Sequence, residues 1–125
     1  MTKITVKPDC GNAPKKELLK QLNIAFAKGN SDFLTDIVSD DIEWDIMGDQ
    51  KISGKEQFTR KLETLKLEKV SELMLDRILT HGKEGAANGI IKMENGQEYA
   101  FSDFYEFTGA KGAKVRSITS YIVRI

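Results

Sequence analysis

The sequence predicts an α+β domain, with helices packed on one face of an antiparallel sheet. Two observations carry this. Apolar residues recur at helical spacing through most of the first half, and strand-like segments joined by tight turns follow one another through the second. A third bounds it: 125 residues make one ordinary domain with a modest core. The expected order is α-α-β-α-β-β-β-β.

The first helix opens at Pro14, whose missing N–H costs little in a first turn. Leu18, Leu22, Ala25 and Phe26 mark its apolar stripe, and Gly29 can end it. Asn30 or Ser31 can cap a second, short helix carrying Phe33, Leu34, Ile37 and Val38. Ser39-Asp40-Asp41 breaks that pattern, and IEWDIM (42–47) reads as the first strand, rich in β-branched and aromatic residues. GDQKISGKE follows as a loop. Ser53 with Glu56 forms a capping box for a third helix, whose buried stripe is Phe58, Leu62 and Leu65.

Strands follow. Residues 69–80 are β-compatible, and Gly82-Lys83-Glu84-Gly85 turns the chain into AANGIIKM (86–93). Asn95-Gly96 is the strongest short hairpin signal and leads into YAFSDFYEF (99–107). A glycine-bearing turn at Gly109–Gly112 precedes the last strand, KVRSITSYIVRI. Residues 1–14 are expected as an N-terminal arm outside the core, and residues 15–125 as the domain.

Nineteen basic residues balance nineteen acidic ones, and they are dispersed, so neither nucleic acid nor a membrane surface is an expected partner. No run approaches membrane-spanning length. Cys10 is the only cysteine, which excludes an internal disulfide. A cytoplasmic protein is expected. With one histidine and one cysteine there is no recognisable metal-ligand spacing, and there is no GxGxxG or P-loop, so neither metal nor cofactor is expected.

The residue that asks for explanation is Asp103. Tyr99, Phe101, Asp103, Tyr105 and Phe107 share one face of a strand, and that face should be buried. A carboxylate left among aromatics must face a cavity, be hydrogen-bonded, or take up a proton. The plain alternative is a pairing with Arg77, Arg116 or a buried backbone group. Phe104, on the opposite face, is a candidate contact on an outer, partner-facing side of the sheet. Asp45 alternates away from Ile42, Trp44 and Ile46, and reaches a site only if its curved strand is covered on both faces, as Met47 hints. His81, the only histidine, ends a strand before a turn and suits proton transfer near neutral pH. Trp44, Tyr105 and Tyr121 are large amphipathic side chains that can line a pocket or fill a core.

Two short helices, then VSDDIEWDIMGDQKISGKEQFTRKL, then SDFYEFTGAKGAKVRSITSYI, together resemble the SnoaL-like group of the nuclear transport factor 2-like superfamily, which includes ketosteroid isomerase. The resemblance covers Lys15 to Ile125. It implies a cone-shaped, strongly curved antiparallel sheet wrapped around the helices, with an apolar pocket in the open end and homodimers through the outer sheet face. By resemblance, Asp45 falls at the position of a carboxylate base, if one residue is deleted before it. Asp103 falls at the position of an acid that donates to an oxyanion, or of the acid/base of SnoaL-like cyclases. A tyrosine of the steroid isomerases is replaced near Leu22, and an arginine of the epoxide hydrolases is replaced by Phe101. The expected catalytic set is Asp103, Asp45 and His81. The expected pocket wall is Trp44, Met47, Phe101, Tyr105, Tyr121, Leu22 and Phe26. The expected function is a cofactor-free isomerase-, cyclase- or dehydratase-type reaction on a small carbonyl compound. The alternatives are a protein that only binds a small hydrophobic molecule, or a dimeric scaffold.

Overall fold

A computed structural model describes residues 2–8, 13–109 and 113–125. Cys10 and most of the turn expected at Gly109–Gly112 lie outside the described residues. The first strand, β1 (Lys3–Val6), precedes the helices α1 (Pro14–Lys28) and α2 (Ser31–Ile37). Next come β2 (Val38–Ile46), β3 (Gln50–Ser53) and α3 (Lys55–Leu65). The long strands β4 (Val70–His81), β5 (Glu84–Met93), β6 (Glu98–Phe107) and β7 (Val115–Arg124) complete the chain. Among the described residues, one sheet holds seven strands in the order β1-β4-β5-β6-β7-β2-β3.

The local chemistry sets most boundaries. Gly29 ends α1 at φ 73°, a left-handed conformation that favours glycine, and its N–H bonds the end of the helix. The Asn30 side chain accepts from the Phe33 N–H and caps α2, as its sequence suggests. The Ser53–Glu56 capping box expected for α3 does not form, and Ser53 Oγ donates to Glu43 Oε2 instead. Gly54 is the cap, and Gln57 Oε1 accepts from the Ser53 N–H at 3.0 Å. Asn95-Gly96 makes the β5–β6 hairpin, with Gly96 at φ 91°.

Two strands are additions to the expected order. β3 forms inside the segment read as a loop, where Ile52 is buried opposite Trp44. β1 lies parallel to β4, and Ile4 and Val6 pack against Leu73, Leu75 and Phe101. The expectation that residues 1–14 stand outside the core therefore fails at Lys3–Val6. Four alternating residues carry little signal alone; the edge of β4 gives them a partner. The α+β class stands, although β1–β4 and β2–β7 pair in parallel while the other four pairings are antiparallel.

The sheet curves around the helices. Register shifts in β4, β2 and at the end of β6–β7 add bend and twist. Gly89 sits where a Cβ would lie 2.2 Å from the Met74 carbonyl oxygen, so only glycine fits that approach. The main core fills the concavity with Leu19, Leu22, Leu34, Phe58, Phe107 and Val115, each at most 1% exposed. A second, smaller cluster forms around Leu73, Leu75 and Phe101.

Candidate functional site

Asp103 stands on the concave face between these two apolar clusters. Along β6, Phe101 belongs to the smaller cluster and Tyr105 to the larger, with Asp103 midway. The carboxylate is half-buried and hydrogen-bonded. Oδ2 accepts from the Tyr105 hydroxyl at 3.2 Å, and Ser120 is its cross-strand neighbour on β7. Burial pushes the carboxyl up to about 6, against the downward pull of the Ser120 and Tyr105 hydroxyls. Burial, and then the Asp103 charge, hold the Tyr105 phenol well above its usual range, so it stays a donor.

Behind the hydroxyls lie two more polar side chains. Asn23 Nδ2 of α1 donates to Tyr105 Oη at 3.1 Å and to the Leu19 carbonyl at 2.9 Å. Trp44 Nε1 of β2 donates to Ser120 Oγ at 2.9 Å. Asn23, Trp44, Tyr105 and Ser120 are all buried. The sequence reading missed two of them. Asn23 lies one turn past Leu19, a buried residue that the expected stripe of Leu18, Leu22, Ala25 and Phe26 leaves out. Ser120 becomes visible only with the β6–β7 register.

The arginine pairing considered for Asp103 does not occur. Arg116 bonds Glu106, and the Arg77 guanidinium lies 4.0 Å from Asp76. One row along the same face, Ile122 opposes Phe101 and is 49% exposed. The face therefore opens to solvent next to Asp103.

Other expected site residues are not brought to Asp103. Register decides this, because directly opposed residues share a face. Asp103 aligns with Ser120 and Ile46, whereas Asp45 aligns with Thr119 and Phe104, on the outer face. His81 aligns with Glu84 and Glu106 at the exposed end of the β4–β5 hairpin, also on the outer face. Tyr121 aligns with Ser102 and packs edge-to-face against Phe104, with ring centroids 6.1 Å apart, again outside. Met47 is exposed beyond the end of β2. Leu22 is a closed core residue, and Phe26 is half-buried against Trp44, centroids 5.3 Å apart. Of the expected wall, Phe101, Tyr105 and Trp44 remain around Asp103.

A cavity of about 640 Å³ lies elsewhere, between the end of β1, the start of α1 and Leu75–Leu79 of β4. It touches neither Asp103 nor any expected pocket residue. The main core in the concavity includes Leu19 and Leu22 of α1 and Phe58 and Leu62 of α3.

No family model matches the sequence, and no curated protein matches it. Solved structures do. An NTF-2 like protein of unknown function from Burkholderia xenovorans is 25% identical, with a TM-score of 0.72, covering 90% of this chain and 86% of that one. An NTF2-like protein of unknown function from Cytophaga hutchinsonii is 15% identical, with a TM-score of 0.70, covering 92% and 95%. One from Burkholderia pseudomallei is 11% identical, with a TM-score of 0.72, covering 90% and 92%. The fold is thus nuclear transport factor 2-like. Among the described residues, no helix is long and apolar enough to cross a membrane.

Proposed function

We propose that the protein is a cofactor-free proton-transfer enzyme acting on a small, largely apolar carbonyl compound, with Asp103 as its single acid/base. One observation carries this. A half-buried aspartate on the concave face has the Tyr105 hydroxyl bonded to it, Ser120 directly across from it, apolar surroundings and, among the described residues, no ion pair with a cation. With its carboxyl near 6 it rests mostly ionised at neutral pH, yet is basic enough to take a proton. That favours the acid/base role of the SnoaL-like resemblance over the neutral-donor role of ketosteroid isomerase. In the step, the Asp103 carboxylate takes a hydrogen from the carbon beside the carbonyl. The C–H electron pair becomes the enolate double bond, and the carbonyl oxygen takes the negative charge. Return of the proton, to the same or a conjugated carbon, restores a neutral product.

The test is exchange in D₂O. A pool of small apolar ketones and aldehydes is incubated with the protein, and α-deuteration is read by mass spectrometry. Enzyme-dependent exchange that falls by about 10²-fold or more in Asp103→Asn supports the reading. Exchange unaffected by that substitution overturns it. Saturable binding with no exchange also overturns it and assigns the second reading, a non-catalytic binder.

We further propose a homodimer through the outer sheet face. Phe104, Tyr121, Leu79 and Val123 are all exposed, and by strand register they lie on that side. A net charge of zero leaves two copies without long-range repulsion. We place the protein in the cytoplasm on its single cysteine, which excludes an internal disulfide.

A further inference from the structure

We infer that Asn23 and Trp44 are positioning residues that fix the direction of both hydroxyl hydrogens onto Asp103. This deepens the proton-transfer reading and rests on it for its functional meaning. The argument is one of donors and acceptors. The Leu19 carbonyl can only accept, so the atom of Asn23 beside it is the amide nitrogen, and the same nitrogen faces Tyr105. Both amide hydrogens are then used, one on Leu19 and one on Tyr105 Oη. The phenol oxygen therefore accepts from Asn23, and its own hydrogen points to Asp103 Oδ2.

The second arm has the same polarity. An indole N–H only donates, so Ser120 Oγ accepts from Trp44. The Ser120 hydrogen is then free to turn to Asp103, directly across the β6–β7 pairing. The two arms come from different elements, α1 and β2, and converge on one carboxylate. Each obligate donor polarises the hydroxyl in front of it, which strengthens that hydroxyl as a donor to the ionised acid.

The consequence concerns where a proton can go. Both hydroxyl hydrogens are committed to the carboxylate, so neither Tyr105 nor Ser120 is set to hand a proton to a substrate. A proton that Asp103 takes sits on the remaining lone pairs, on the side away from the two hydroxyls. It has no route inward and returns to the substrate or passes to solvent. The device favours the ionised form of Asp103, so its removal should make Asp103 harder to ionise.

The experiment reads Asp103 directly. The protein is labelled with ¹³Cγ aspartate, and the Asp103 titration is followed by NMR in the wild type, Asn23→Leu, Trp44→Phe and Phe58→Leu. Phe58 packs on Trp44, with centroids 5.8 Å apart, and takes no part in the hydrogen bonds, so it controls for lost packing. The midpoint is expected to rise by about half a pH unit in Asn23→Leu and in Trp44→Phe, and to stay put in Phe58→Leu. Tyr105→Phe and Ser120→Ala, which remove the hydroxyls, should raise it by about one pH unit. If Asn23→Leu and Trp44→Phe fold, by near-ultraviolet circular dichroism, and leave the midpoint unmoved or lowered, the inference is overturned. An equal rise in Phe58→Leu overturns it as well. The titration needs no substrate, so absence of α-deuteration in the wild type would remove the proposed reaction and leave this result standing by itself. Where exchange is seen, its half-maximal pH should move up in step with the NMR midpoint.

Discussion

Asp103 and Asp45 stand on opposite faces of one sheet, Asp103 across from Ser120 and Asp45 across from Thr119, the next residue back along β7. That single-residue offset separates a helix-facing carboxylate from an outward one. With the sheet between them, no direct proton transfer between the two is expected. Asp45→Asn and His81→Ala should therefore leave α-deuteration within about 2-fold of wild type, while Asp103→Asn removes it by about 10²-fold or more. Parallel initial-rate measurements on the three variants check this. A large loss in Asp45→Asn would restore the two-carboxylate scheme.

How much of this was legible beforehand follows from individual residues. The facing of Asp103 was legible, because Phe101, Tyr105 and Phe107 alternate with it and all three are buried. The outward facing of Asp45 was legible too, from Ile42 and Trp44, and the resemblance pulled it toward the site. β7 misleads on its own. Ser120 is buried at 3% exposure while its neighbour Tyr121 is 45% exposed, the reverse of what polarity suggests. Their facing is set by pairing with Asp103 and Ser102, and register between distant strands is not written locally. β1 and β3, four residues each, owe their existence to neighbouring strands and carry no period of their own.

The raised carboxyl of Asp103 predicts a cost in stability. Its folded value is about 6, above the ordinary 3.8, so the native state binds more protons than the unfolded chain between those values. Stability therefore falls as pH rises from roughly 4 to roughly 6 and is flat above. Asp103→Asn keeps an acceptor for Tyr105 and Ser120 and removes the buried charge. It should be more stable than wild type at pH 7–8, by about 1–3 kcal/mol, with the advantage fading by pH 4. Urea unfolding at pH 4 and pH 7.5 measures both. A variant less stable than wild type at pH 7.5 and equal to it at pH 4 contradicts the sign.

Gly89 and Gly85 should differ in tolerance. At Gly89 a Cβ would lie 2.2 Å from the Met74 carbonyl oxygen and 3.1 Å from the Phe101 ring. The first of these is backbone in a paired strand and cannot step aside. At Gly85 the nearest atom, 2.8 Å away, is a methyl carbon of Leu19, which can rotate. Gly89→Ala is expected to cost about 3 kcal/mol or more and to disturb the Phe101 side of the site; Gly85→Ala should cost about half as much. Thermal and urea unfolding of the two variants rank them, and an equal or reversed ranking refutes the curvature argument.

The outer face makes the last prediction. By register, Leu79, Ala86 and Phe104 form one row on that side, and Met74, Ile90, Ala100 and Val123 form another. The aromatic pair Phe104–Tyr121 lies beside them, with the two residues 52% and 45% exposed. Apolar surface of this kind is stable in water once a second apolar face covers it, and a second copy of the same face is self-complementary about a two-fold axis. Phe104→Asp puts a charge in the middle of that patch without touching the concave side. The wild type should run as a dimer in analytical ultracentrifugation, and Phe104→Asp should weaken dimerisation by about 10²-fold or more while keeping its folded circular dichroism spectrum. Because Asp103 points the other way, the separated monomer should keep the Asp103 titration midpoint of the dimer. A wild type that stays monomeric at high concentration, or a Phe104→Asp variant that stays dimeric, rules the interface out.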